Sequence, residues 1–167
     1  MASRTHLVVM GVAGTGKSTI ARALAERLGW PFGEGDDLHP AANVAKMAAG
    51  IPLDDADRWP WLDAIAAWTA EQAAAGNSTI VTCSALRRTY RDRLRAAAAG
   101  TVFVHLVGSP ALLAERMTAR KDHFMPTSLL ASQLETLEPL TADEPGFTVN
   151  VELPAAAIVD EVLDQLH

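Results

Sequence analysis

The feature that most constrains this chain is the motif G-x-x-x-x-G-K-S at residues 11–18. Its glycines let the backbone fold closely around a phosphate, where a side chain would clash. The N–H groups of such a loop, and the N-terminus of the helix that follows, point at the anion. Residues 6–10 before the motif are typical of a short buried strand, and residues 17–28 after it have helical periodicity. A chance glycine-rich turn lacks this context, so the motif predicts a nucleotide-phosphate site.

Individual positions of the loop have predicted roles. Lys17 brings a positive charge to the β- and γ-phosphates, and the Ser18 hydroxyl is a ligand for Mg²⁺. We therefore predict Lys17 as a catalytic residue. The predicted nucleotide contacts of this segment are Gly11, Val12, Ala13, Gly14, Thr15, Gly16, Lys17, Ser18 and Thr19.

Bulk properties exclude several classes of protein. The chain has 167 residues and is 49% hydrophobic and 20% charged, which predicts a single globular domain over 1–167. No apolar run reaches the roughly 18–20 residues that span a bilayer, so we expect no membrane segment. The N-terminus lacks signal-peptide architecture, and the lone cysteine excludes an internal disulfide framework, so we expect a cytoplasmic protein. The net charge of −6 argues against a nucleic-acid-binding surface.

Strand and helix patterns alternate along the chain, which predicts an α/β fold with a parallel sheet covered by helices on both faces. Ligands of such sheets lie beyond the carboxyl ends of the strands, so the segments 11–18, 34–39 and 83–88 are of most interest. The predicted strands are 6–10, 31–35, 79–83, 102–107 and 147–151, and the predicted helices are 17–28, 40–49, 57–76, 87–98, 110–120, 126–137 and 155–166.

Two carboxylates and a histidine follow the second strand. Glu34 and Asp36 are two residues apart, so in extended backbone they share a side. A phosphoryl-transfer site needs a carboxylate near Mg²⁺ and a group that orients or deprotonates the acceptor hydroxyl, and this pair supplies both. The alternative is an acidic turn in which Asp37 caps the next helix. His39 is either a substrate contact or a turn residue fixed by Pro40.

A basic segment ends the fifth helix. Arg116 and Arg120 are four residues apart and share a helical face, and Lys121 and His123 follow. Arginines carried on a flap neutralise charge on a transferring phosphoryl group and exclude water. The alternative is a solvated basic helix end that interacts favourably with the helix dipole.

Further residues are predicted to be structural or solvated. In the other basic run, Arg91, Arg93 and Arg95 are expected on an exposed face, whereas Arg87 and Arg88 adjoin the end of the third strand. Cys83 and His105 lie in apolar strands and are expected to be packed in the core, without a nucleophilic role for the thiol.

Taken together, the motifs resemble the bacterial gluconokinases of the small P-loop type, relatives of shikimate kinases and nucleoside-monophosphate kinases. The phosphate loop is shared by many NTPases, whereas the G-D-x-L-H-P and C-S-A-L segments are specific. The segments that carry the resemblance run in family order: 10–18, 35–40 (GDDLHP), 43–47 with 50–53, 57–62 (DRWPWL), 83–88 (CSALRR) with 90–92, and 120–124 followed by 133–137.

The resemblance implies phosphorylation of D-gluconate at its C6 hydroxyl, with ATP and Mg²⁺ as cofactors. It also implies a nucleoside-monophosphate-kinase-like core of five parallel strands, a substrate arm near 40–76 and a lid near 118–128. By position, Asp36 is the base, Arg58 holds the gluconate carboxylate, Arg116 stacks on adenine, and Arg120 is a catalytic lid arginine. The predicted substrate contacts are Asp36, His39, Lys46, Arg58, Ser84, Arg87 and His123, and the predicted metal ligands are Ser18 and Glu34.

Departures from the family pattern and competing functions remain. Glu34 stands where the family more often has Asp, and Asp122 where the lid often has Gly. A kinase for shikimate or another sugar acid is the nearest alternative, and a nucleotide-dependent switch without catalysis is a more distant one. The resemblance suggests a homodimer, but the sequence shows no interface.

Overall fold

The computed structural model describes residues 4–119 and 128–166, and a sheet of parallel strands lies at its centre. The strands occur in the order β2-β3-β1-β4-β5, which confirms the predicted five-stranded parallel sheet. Their bounds are His6–Met10 (β1), Phe32–Gly33 (β2), Thr79–Thr82 (β3), Thr101–Val107 (β4) and Gly146–Asn150 (β5).

Both faces of the sheet are covered. Successive side chains of a strand point to opposite faces, and all five residues of β1 are buried, as are all four of β3. The helix α1 packs on α7, and α3 packs on α4. The helices are Lys17–Leu28 (α1), Ala41–Ala48 (α2), Asp55–Ala74 (α3), Arg88–Ala97 (α4), Pro110–Ala119 (α5), Ser128–Thr136 (α6) and Ala155–Gln165 (α7).

The strand order places the phosphate loop at the point where the chain changes direction across the sheet. β1 lies between β3 and β4, so the earlier crossovers lead to one side of β1 and the later ones to the other. A crevice opens at the carboxyl end of such a strand, and this is where doubly wound sheets bind their ligands. The loop that follows Met10 therefore lies at the mouth of this crevice.

The second strand is shorter than predicted. The sequence suggested a strand over 31–35, but β2 ends at Gly33 and a 3₁₀ turn begins at Gly35. A Cβ at Gly35 would lie 1.9 Å from the Thr82 carbonyl oxygen, so only glycine allows this approach of the turn to β3.

The helix α3 begins two residues before its predicted start because a capping box fixes its first turn. The Asp54 side chain accepts a hydrogen bond from the Asp57 N–H (2.8 Å), and the Asp57 side chain accepts one from the Asp54 N–H (3.0 Å). In the described residues 4–119 and 128–166, no helix is both long and apolar enough to cross a bilayer.

The prediction that Arg91 is exposed is wrong. Its side chain is 0% exposed and forms an ion pair with Glu144, with Nε 2.5 Å from Oε2 and Nη2 3.0 Å from Oε1. Nη1 also donates to the carbonyl oxygen of Ala85 (2.8 Å), a residue in the left-handed region with φ of 46°. Arg91 therefore holds the strained turn that joins β3 to α4. Arg93 is exposed, as predicted, and pairs with Asp63.

We expect Arg91→Met to destabilise the protein by about 3–5 kcal/mol, because the buried Glu144 would lose its closest counter-ion and keep only Arg88, at 4.0 Å. Arg93→Met is the matched control on the same helix, and it should leave stability nearly unchanged, since exposed ion pairs contribute little. The measurement is the free energy of unfolding from urea titration. Equal losses in the two variants would contradict the structural role of Arg91.

Candidate active site

A cavity of about 290 Å³ opens at the carboxyl end of the sheet, between the phosphate loop and α3. Its walls come from the phosphate loop, the β2–α2 connection, α3, the β3–α4 turn and α6. Segments far apart in sequence thus bring many of the predicted site residues together. The predicted residues that line the cavity are Ala13, Gly14, Gly16, Lys17, Ser18, Glu34, Asp36, His39, Arg58 and Ser84.

The phosphate loop packs closely against α5 and binds the side chain of its own lysine. Gly14 has φ of 85°, and a Cβ there would lie 2.7 Å from the Leu113 carbonyl oxygen, so this position requires glycine. The Lys17 ammonium donates to the carbonyl oxygens of Gly11 (3.0 Å) and Val12 (3.1 Å). The positive charge therefore lies against the loop, where nucleotide phosphates bind in proteins with this motif.

A side chain from α6 also contacts the loop. The Ala13 N–H donates to Oε1 of Gln133 at 2.7 Å, and Gln133 lines the cavity. Gln133 begins the segment 133–137 of the family resemblance, but it was not predicted as a site residue. The contact ties α6 to an N–H group of the phosphate loop.

Glu34 and Asp36 line the same cavity, but not for the reason that the sequence suggested. The backbone from Gly35 to Leu38 is a 3₁₀ turn rather than extended chain. The Thr82 hydroxyl donates to the Glu34 carboxylate and accepts from the Gly35 N–H (2.9 Å). One hydroxyl on β3 therefore fixes both the carboxylate and the turn that carries Asp36.

The oxygen donors of this region fit a magnesium ion. Mg²⁺ prefers hard oxygen ligands, and in nucleotide sites it uses one or two carboxylates together with phosphates and water. The Ser18 hydroxyl and the Glu34 carboxylate both line the cavity beside the phosphate loop. Within residues 4–119 and 128–166, no cluster of three or more His, Cys, Asp or Glu side chains is suited to a metal. Ser18 and Glu34 together supply one hydroxyl and one carboxylate, which fits an ion that takes its other ligands from phosphates and water.

Arg58 is a buried residue of α3 that lines the cavity. Its side chain is held by Tyr90, whose hydroxyl accepts from Nη1 at 2.9 Å and whose ring lies 5.4 Å from the guanidinium carbon. The Tyr90 hydroxyl in turn donates to Asp55. Tyr90 was part of the family resemblance but was not predicted to contact Arg58. This chain of contacts orients a planar, permanently charged donor toward the cavity.

His39 is neutral at pH 7. Burial, together with the nearby Arg58 charge, lowers the pKa of His39 to about 4. Its ring stacks on Trp61 with the ring centroids 4.1 Å apart, and its Nδ1 lies 3.2 Å from Nδ2 of Asn43. His39 therefore sits in a turn and also lines the cavity, and its contact with a substrate remains a prediction.

Other predicted residues lie away from the cavity. Lys46 forms an ion pair with Asp57 at 2.7 Å, and Arg87 is exposed with Nη1 4.0 Å from the Asp55 carboxylate.

A second cavity of about 170 Å³ lies beside the phosphate loop, and its walls include Thr15, Thr19 and Arg116. The Arg116 guanidinium donates to the Val151 carbonyl oxygen at 2.7 Å.

The predicted lid is largely outside the described residues. Arg120 and His123 lie in the segment 120–127, so their predicted roles remain predictions.

Cys83 and His105 are packed in the core, as predicted. Burial raises the pKa of the Cys83 thiol to about 12, so the reactive thiolate is absent at neutral pH. His105 on β4 is 3% exposed, and burial lowers its pKa to about 4, with Arg91 and Lys17 adding to the effect.

Comparisons with known proteins identify the family of this chain. A family model described as an AAA domain matches residues 7–140. A gluconokinase from Gluconobacter oxydans is 52% identical over 94% of this chain and 88% of its own length. The chain belongs to the gluconokinase family. It is therefore a kinase that uses ATP.

Solved structures support the same membership. The crystal structure of a gluconokinase from Sinorhizobium meliloti has a TM-score of 0.88 and 51% identity, covering 98% of this chain and 93% of that one. An unliganded sugar kinase from Janibacter has a TM-score of 0.94 and 48% identity, covering 98% and 95%. The predicted P-loop kinase fold is thus confirmed over nearly the whole chain.

The buried histidines predict how stability depends on pH. For His105 the pKa is about 6.5 in an unfolded chain and about 4 in the native protein, so between these values the unfolded state binds more protons. Stability should be full above pH 6.5 and fall as the pH drops toward 4, with a limiting slope of about 1.4 kcal/mol per pH unit from this group. His39 should act in the same direction.

The measurement is urea unfolding between pH 7.5 and about 4.5, with an NMR titration of the histidine ring protons. Carboxylates whose native pKa is lowered, such as those of Asp63 and Glu144, reduce stability only near and below their ordinary pKa, so the upper part of this window reports chiefly on the histidines. A His105 resonance that titrates near pH 6.5 in the native protein would contradict the prediction.

Proposed function

We propose that this chain transfers the γ-phosphoryl group of ATP to the C6 hydroxyl of D-gluconate, giving 6-phospho-D-gluconate and ADP. The observation that carries the proposal is that Lys17, Asp36 and Arg58 line one cavity. A phosphate-binding cation, a carboxylate and a buried carboxylate-binding cation are the groups that this reaction requires. The gluconokinase names of the relatives support the choice of substrate.

The phosphate end of the cavity would bind ATP. The loop N–H groups and Lys17 would neutralise charge on the phosphates as the bond to the leaving group lengthens. Ser18 and Glu34 would hold Mg²⁺, which when bound supplies further positive charge at the phosphate oxygens. Thr15, Thr19 and Arg116 beside the second cavity would contact the nucleoside part, with Arg116 stacking on adenine.

The acceptor end would bind the sugar acid. Arg58 would hold the gluconate carboxylate in a two-pronged contact, and its own orientation is set by Tyr90. Asp36 would accept a hydrogen bond from the C6 hydroxyl. As the O6–P bond forms and the bond from phosphorus to the ADP oxygen breaks, the hydroxyl proton would pass to Asp36. His39 and Ser84 would contact the polyol chain, and Lys46 and Arg87 remain predicted contacts from outside the cavity.

The lid, the cellular location and the assembly are further parts of the proposal. Arg120 would approach the γ-phosphate and His123 the substrate, within a lid near 118–128 that excludes water. A cytoplasmic homodimer remains the expectation from the sequence.

The test is ADP production by the purified protein across a panel of acceptors. Gluconate should give turnover well above that seen with ATP and Mg²⁺ alone, whereas shikimate and other sugar acids should give little. Asp36→Asn is the informative variant, because the amide keeps the size of the side chain but cannot accept the proton. It should retain ATP binding by calorimetry and lose turnover by about 10²-fold or more. Nucleotide binding without acceptor-dependent turnover in the wild type would instead support the non-catalytic switch.

Arg58→Lys should raise the KM for gluconate by about tenfold or more, because an ammonium cannot reproduce a planar two-pronged contact. The KM for ATP should stay within about threefold, since Arg58 is carried by α3 and not by the phosphate loop. The control is Arg93→Lys, an exposed position outside the cavity that pairs with Asp63. An unchanged gluconate KM in Arg58→Lys would show that Arg58 is structural.

A further inference from the structure

Asn43 is a buried polar residue on the mostly exposed helix α2. Only Asn43 and Met47 of α2 are buried, and Asn43 is 3% exposed. Burial of an amide is costly unless it is hydrogen-bonded. The Asn43 side-chain nitrogen lies 2.8 Å from the Asp57 carbonyl oxygen and 3.2 Å from Nδ1 of His39. The cost of burial is therefore offset by two specific contacts.

These two contacts fix the proton of His39. A backbone carbonyl oxygen only accepts, so the NH₂ group of Asn43, and not its oxygen, must face Asp57. The same NH₂ group then faces Nδ1 of His39, which must accept. In a neutral imidazole that accepts at Nδ1, the proton is on Nε2. A protonated ring would place an N–H against the Asn43 NH₂ group.

The plane of the ring is fixed independently. His39 stacks on Trp61 with an interplanar angle of 13°, and the Trp61 indole N–H donates to the Gly35 carbonyl oxygen at 2.7 Å. The ring, its tautomer and the turn that carries Asp36 are thus linked in one network. Because His39 lines the cavity, its Nε2–H is the group of this ring left to donate to a ligand.

We propose that Asn43 is a positioning residue that holds His39 as an Nε2–H donor to a hydroxyl oxygen of the sugar acid. The inference rests on the proposed function. A neutral donor suits a hydroxyl oxygen, because the carboxylate of the substrate is matched by the charged Arg58. Burial and the Arg58 charge keep the pKa of His39 low, so the donor is present throughout the neutral range.

The direct test measures the tautomer and does not depend on activity. In a ¹⁵N-labelled protein at pH 7, two-bond ¹H–¹⁵N correlations should give His39 the pattern of the neutral Nε2–H tautomer. The signal is assigned by its absence from His39→Gln. An Nδ1–H or imidazolium pattern in the wild type would overturn the inference, even if the protein phosphorylates gluconate.

Asn43→Asp then tests whether Asn43 sets that tautomer. The carboxylate is close in size but only accepts, so it should draw a proton onto Nδ1 and change the pattern to Nδ1–H or imidazolium. A folded variant with an unchanged His39 pattern would overturn the positioning role. The wild-type spectrum remains decisive if this variant does not fold.

The kinetic test separates positioning from support of the fold. Asn43 also contacts Asp57, so a purely structural role would be to hold α2 against α3. A Gln side chain at position 39 can donate from near the place of Nε2 without help from Asn43. Asn43→Asp should raise the gluconate KM about tenfold in the wild-type background and at most about twofold in the His39→Gln background. The KM for ATP should not move in either background.

Equal increases in both backgrounds would show a merely structural role and overturn the inference. If the wild type shows no turnover with gluconate, the proposed function fails, whereas the tautomer measurement still decides whether Asn43 orients His39.

Discussion

The close approach of the Gly35 backbone to Thr82, at the end of β3, sets the positions of the cavity residues Glu34 and Asp36. The Thr82 hydroxyl bonds the Gly35 N–H and the Glu34 carboxylate, while the Trp61 indole bonds the Gly35 carbonyl oxygen. Side chains on either side of Gly35 are thereby aimed into the cavity from a turn of only four residues. A larger residue at this position would separate the turn from the sheet and disperse the groups that it carries.

Charge is distributed in the cavity by burial as well as by residue type. Lys17 and Arg58 provide positive charge from the phosphate loop and from α3. Glu34 and Asp36 provide negative charge from the β2–α2 connection. His39 lies near Arg58 but stays uncharged, because its pKa is lowered to about 4. The cavity therefore combines ionic groups, which in the proposed function meet the charged parts of the substrates, with the neutral ring of His39.

Much of the fold followed from local sequence, because period and motif determine strands, helices and the phosphate loop. The buried hydrophobic runs gave the strands, and Lys17 and Ser18 were placed by a motif whose geometry is nearly invariant. What could not be predicted depends on distant partners. Arg91 looked exposed because its counter-ion, Glu144, is 53 residues away.

Many of the predicted site residues line one cavity, whereas the geometry that brings them together was not predicted. Glu34 and Asp36 do face one cavity, but through a 3₁₀ turn that is set by Thr82, which lies 48 residues from Glu34. Asn43 and Gln133 belonged to segments of the family resemblance, but the sequence did not indicate their contacts with Asp57, His39 and Ala13. Arg120 and His123 remain predictions from the motif alone.

The contacts of Asp57 oppose bending within the predicted substrate arm at 40–76. The segment between α2 and α3 contains Gly50 and Pro52, a composition typical of a flexible hinge. Yet Asp57 bridges this segment: its carboxylate binds Lys46 and caps α3, and its carbonyl oxygen binds Asn43. Bending at Gly50 would break the contacts of Asp57 with Lys46 and Asn43 together, whereas the capping box lies wholly on the α3 side of this residue. These contacts therefore oppose bending between the two helices, and a movement of the segment that preserves them must bend the chain at its outer ends.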